Sequence, residues 1–154
     1  MTSQKILLPY NFTSEDQKAA EFVIRTFAHQ KDVEITLFNT YIPAPQIEVR
    51  GSPIMEKMMS NVNYLSKKID DQEAALKTTK EELIRNGFSE DRIRYIFEAR
   101  KKDVARDIVD LCRKDHFDMV VLNRSKEKVG RFFTGSVFSK VVGALEDMVV
   151  CVVT

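Results

Sequence analysis

Apolar residues in this chain occur in two kinds of run. Five short runs, KILLPYNF (5–12), DVEITLFNTYI (32–42), RIRYIFEA (92–99), FDMVVLN (117–123) and MVVCVVT (148–154), have the length and β-branched content of buried strands. Between them the apolar residues recur at helical spacing. Ala20, Val23, Ile24 and Phe27 do so in 13–30, and Leu65, Ile69, Leu76 and Leu83 in 64–86. Val104, Ile108, Leu111 and Cys112 do so in 102–116, and a last helix is expected over 134–145. Ser14 with Gln17 has the capping-box pattern, Asp103 reads as an N-cap, and Gly87 closes the helix over 64–86. The stripe of that helix is narrow and the rest is charged, which places it on the surface. Residues 43–63, with three prolines and Gly51, read as a loop with one helical turn at most. Such a loop is long for a compact domain and points to function or mobility. Its Ile54, Met55, Met58 and Met59 read first as a cover over the sheet or a neighbouring helix. A docking site for a protein partner, or a lid, is the other reading.

Strands alternating with helices predict a parallel sheet covered on both faces. The fold class is α/β, Rossmann-like and doubly wound, with five strands in one domain over 1–154. The length suits one domain, and 44% hydrophobic residues supply its core. A net charge of +1 argues against a nucleic-acid partner bound over a wholly basic surface. The opening MTSQKILLPYNF has no long apolar stretch, and no run approaches the ~20 residues of a membrane helix, so neither export nor a membrane is expected. Cys112 and Cys151 stand singly in apolar surroundings and read as buried thiols in a reducing cytoplasm. His29 and His116 fall in last turns of helices, where an imidazole meets exposed carbonyls. No metal site is expected from them.

In an open parallel sheet a ligand sits beyond the carboxyl ends of the strands, where the strand order reverses. The residues there are Tyr10, Asn11, Phe12 and Thr13 after the first strand, and Arg100, Lys101 and Lys102 after the third. Asn123, Arg124, Ser125, Lys126 and Lys128 follow the fourth strand, and Gly135, Ser136 and Val137 open the last helix. A phosphorylated receiver needs acids after the first strand, and PYNF has none. The glycine patterns of dinucleotide and P-loop sites are absent, and no nucleophile–base pair converges. No catalytic residue is assigned, and the chain is not expected to be an enzyme. What remains are donors: Lys and Arg side chains, and the free N–H groups of a helix start, which together favour an anion. The same lysines read equally well as solvated surface charge.

KILLPYNFTSEDQKAAEFV resembles the opening of universal stress proteins, where ILVPVDGSE-x-S-x-x-A is usual. DMVVLNRS…GRFFTGSVFSKVV resembles their closing signature, glycine–two residues–glycine–nine residues–glycine–Ser/Thr, and MVVCVV their last strand. The resemblance implies a strand order of 3-2-1-4-5 and commonly a homodimer. It also implies ATP at the carboxyl-end mouth in part of the family. Carried over, the acid after the first strand is Asn11, the first signature glycine is Asn123 and the second falls at Lys126. Eight residues, not nine, separate Lys126 from Gly135, and only Gly135-Ser136 persists. Glycines let a backbone approach phosphate closely, and a lysine there fills that space. The expected function is therefore a non-enzymatic stress or signalling protein with a degenerate nucleotide site and weak or no ATP binding. The alternative is a module that holds ATP or another phosphate-type anion. In the implied order the last strand is an edge, and Val149, Val150, Cys151, Val152 and Val153 form an apolar edge without Lys or Pro. A homodimer across it is expected.

Overall fold

The computed structural model describes residues 2–45, 53–124 and 137–154. In chain order the elements are β1 (Gln4–Pro9), α1 (Ser14–Phe27), β2 (Val33–Tyr41), α2 (Pro53–Arg85), a 3-10 turn (Glu90–Arg92), β3 (Ile93–Ala99), α3 (Val104–Asp115), β4 (Met119–Asn123), α4 (Val137–Ala144) and β5 (Val149–Val153). The strands form one sheet in the order β3-β2-β1-β4-β5, every neighbouring pair parallel. The sequence expectation of a doubly wound parallel sheet holds, and so does the strand order implied by the resemblance.

Side chains alternate across the sheet and feed two cores. Ile6, Leu8, Ile35 and Leu37 meet Val23 of α1 and Leu76 and Leu83 of α2 on one face. Leu7, Phe38 and Val120 meet Ile108 of α3 and Val141 of α4 on the other. The central strands are apolar on both faces because both faces are covered. β5 is not: Val149 and Val152 are 52% and 37% exposed at the sheet edge.

Two helix signals differ from the sequence reading. The N-cap of α1 is Thr13, not Ser14, and its capping-box partner is Asp16, not Gln17. Thr13 wins because its backbone is extended while Ser14 already lies in the helix; Asp16, three residues on, is short enough to reach back to the cap. At the other site Asp103 caps α3 as expected, accepting from Arg106 N at 2.9 Å. Gly87 ends α2 at φ +119, with Phe88 N donating to Leu83 O and Gly87 N to Ile84 O, a Schellman arrangement sealed by the buried Phe88 and Leu83.

The larger correction concerns 43–63. Helix α2 begins at Pro53, not near 64, and runs for 33 residues. Pro53 fits the first turn, where its missing N–H is an orphan anyway, and no Gly or Pro follows before Gly87. The Met-rich stretch is therefore helical, and it is split: Ile54 is 73% exposed and Met58 43%, while Met55 and Met59 are half-buried. The expected helix start at 134–136 lies outside the described residues.

One tie between elements escaped the sequence reading. The Arg92 guanidinium lies over the Phe88 ring and donates to four carbonyls, Val33 O at 2.8 Å, Ala28 O, Phe27 O and Gln30 O. It thereby stitches the end of α1 to the start of β2. Arg92→Met keeps much of the apolar stem and leaves those carbonyls without the cation. Chemical denaturation is expected to show a loss of about 2 kcal/mol with an unchanged m-value; no loss would mean that solvent replaces the guanidinium freely.

Both thiols are free. Burial beside α4 pushes the Cys112 thiol up to about 12, and burial also raises Cys151. A thiol protonated in the fold and ordinary in the unfolded chain favours the fold at neutral pH, and that contribution fades as pH rises from about 9 towards 12. At pH 8 an alkylating reagent is expected to label Cys151 well before Cys112 in the native protein. Equal rates would place Cys112 in contact with solvent.

Candidate functional site

The strand order reverses between β1 and β4. After β1 the chain turns to the α1 face, and α4 lies on the opposite face. The carboxyl ends of these two strands are thus the crevice at which such folds hold ligands.

A residue absent from the sequence-based set spans this crevice. Asp16, in the first turn of α1, is 4% exposed. Its Oδ2 accepts from Asn11 N at 2.9 Å, Thr13 N at 3.2 Å and Thr13 Oγ1 at 2.7 Å. Its Oδ1 accepts from Asn123 Nδ2 at the end of β4. One buried carboxylate therefore fixes the turn after β1 and ties it across the crevice to β4. Negative charge in the first turn of a helix also suits the helix dipole.

Of the predicted residues, Asn11 and Asn123 are brought together here, both as donors to Asp16. Phe12, between them and the cap, has φ 62, a left-handed backbone that costs a bulky residue about 1–2 kcal/mol. It is held there because Asp16 grips the backbone on both sides of it, and its ring meets Tyr10 edge-on at 5.3 Å. Tyr10 is not a mouth residue. Its ring is buried in the core under α1 and α2, and desolvation, then the Asp16 carboxylate, hold its phenol above the usual value.

Arg124 is exposed, and its N–H extends the β4–β5 ladder to Val153 O at 3.1 Å. Val137 opens α4 and is 42% exposed. Ser125, Lys126, Lys128, Gly135 and Ser136 lie outside the described residues. Lys101 and Lys102 follow β3, the far edge strand, so three strand spacings, roughly 14 Å, separate that strand from β4. Their N–H groups are held by the buried Asp107 at 3.0 and 3.2 Å, Lys102 Nζ pairs with Asp110 at 3.1 Å, and Lys101 Nζ lies 4.0 Å from Glu98. They do not join Asn123 in one basic mouth.

Asp107 repeats at α3 what Asp16 does at α1: an acid in the first turns of the helix fastens the loop that precedes it. Asn39, 8% exposed at the end of β2, was also missed. Its Oδ1 accepts from Thr40 N at 2.8 Å, while its Nδ2 has no acceptor among the described residues. The ladder register puts Asn39 beside Tyr10 (Pro9 pairs with Phe38), one strand over from Asn11. Among the described residues no His, Cys, Asp and Glu group could hold a metal, and no helix is long and apolar enough to cross a membrane.

Fold and crevice together define an open, doubly wound α/β module with a crevice at the β1/β4 switch point. Residues 2–152 match the model of the universal stress protein family, and the chain belongs to that family. No curated protein matches it. Among solved structures, hypothetical protein MJ0577 aligns at a TM-score of 0.70 and 18% identity, covering 100% of this chain and 99% of that one. Universal stress protein UspA from Lactobacillus plantarum aligns at 0.67 and 15% identity, covering 100% and 99%. The universal stress protein from Archaeoglobus fulgidus in complex with dAMP aligns at 0.59 and 14% identity, covering 98% of each chain. Matches also include family structures with cAMP and, from Arabidopsis thaliana, with AMP bound.

Against the opening pattern that the chain resembles, ILVPVDGSE-x-S-x-x-A, Asn11 stands at the acid after β1, Phe12 at the glycine, Thr13 at the first serine and Asp16 at the second. The carboxylate has in effect moved five residues along, from the mouth into the helix start.

Proposed function

We propose that this chain is a non-enzymatic universal stress-type protein with a stress-response or signalling role, and that its nucleotide crevice binds ATP weakly or not at all. The observation that carries the reading is the Asp16–Asn123 bridge. It closes the switch point from within and sets a carboxylate beside the place where a phosphate chain would run. Asn11, the residue at the family's acid position, offers its N–H inward to Asp16. Equilibrium dialysis with labelled ATP tests this: little retention up to millimolar nucleotide is expected, and retention at micromolar concentration overturns it. Free thiols at Cys112 and Cys151 fit a reducing compartment, and the proposed location is the cytoplasm.

A second reading, a module for a nucleotide or another phosphate-type anion, is favoured by one observation. The buried Asn39 Nδ2 has no acceptor among the described residues, and an unpaired buried donor costs about 1–3 kcal/mol unless something meets it. In that reading Arg124 and the start of α4 at Val137 supply the positive field. A thermal-shift screen of AMP, cAMP, ATP and inorganic phosphate separates the readings: a shift with a nucleotide or phosphate supports the module.

The assembly proposed for either reading is a homodimer across β5. Its outer residues are apolar, it lies at the sheet edge, and its outer backbone groups meet no further strand among the described residues and so offer a ladder to a second copy. Val149→Lys with Val152→Lys is expected to lower the solution mass by one association step in light scattering. An unchanged mass removes β5 as the interface.

A further inference from the structure

We draw no further inference here: the strongest candidate, the buried Asn39 side chain at the carboxyl end of β2 with its Nδ2 unmatched among the described residues, belongs to the site already described.

Discussion

Replacing Asp16 by alanine is expected to lower the melting temperature by about 10 °C. The carboxylate is buried and accepts from Asn11 N, Thr13 N, Thr13 Oγ1 and Asn123 Nδ2. Hydrogen bonds to a charged group contribute about 1.5–3 kcal/mol each when singly removed, but bonds sharing one acceptor group are not additive. Loss of the capping box adds about 1 kcal/mol. A net loss of about 3–4 kcal/mol follows, and in a domain of this size each kcal/mol shifts the midpoint by about 2–4 °C. Released strain offsets part of the loss: without the carboxylate, Phe12 is free to leave its left-handed conformation. Asp16→Asn keeps the shape but turns two acceptor oxygens into one oxygen and one NH₂, so it should recover less than half of the loss. Calorimetry decides. A fall of under 3 °C for the alanine variant would mean that water satisfies these donors and that Asp16 does not organise the crevice.

The difference between what the chain's pattern revealed and what the structure adds follows from the kind of signal involved. The runs at 6–8 and 120–122 are legible because burial on both faces demands an unbroken apolar stretch. Gly87 is legible because the backbone there needs positive φ. The first half of α2 was not: Pro43, Pro45 and Pro53 read as breakers, although proline in a first turn starts a helix as readily as it ends one. Its amphipathic repeat was visible only from Leu65 onward, because Met and Val positions before that were weighed as loop. The carboxyl-end residues were legible by topology, as the ends of strands. What could not be read was which of them converge. Lys101 and Lys102 counted as mouth residues on the order of elements alone, but their strand is the sheet edge and their loop is held down by Asp107. Asp16 was missed because a capping box was sought with a glutamate or glutamine in third place. T-x-x-D at 13–16 carried the same signal with a shorter acid, and a short acid in that place turns its second oxygen toward a neighbouring strand.

Moving the carboxylate back should restore nucleotide affinity at the expense of stability. The variant carries Asn11→Asp and Asp16→Ser, which return the acid to the mouth, and Asn123→Gly and Lys126→Gly with one residue inserted before Gly135, which return the signature spacing. The exchange at 11 and 16 must be made as a pair. Asn11→Asp alone would set a second carboxylate beside the one whose oxygen already holds the residue 11 N–H, and like charges at that separation repel. Two recovered polar contacts, at about 1–3 kcal/mol each, raise affinity by one to several orders of magnitude. Replacing Asp16 deletes the bridge to Asn123 and the clamp on Phe12, so the ligand-free variant should melt below the wild type and gain stability on adding ATP by mass action. Paired calorimetric titrations and melting curves test both halves. A variant that binds ATP no better than the wild type would mean that the crevice was not lost through these residues. Tight binding by the wild type would mean that the Asp16–Asn123 bridge opens at little cost, and that the closed crevice is only the ligand-free form of a working site.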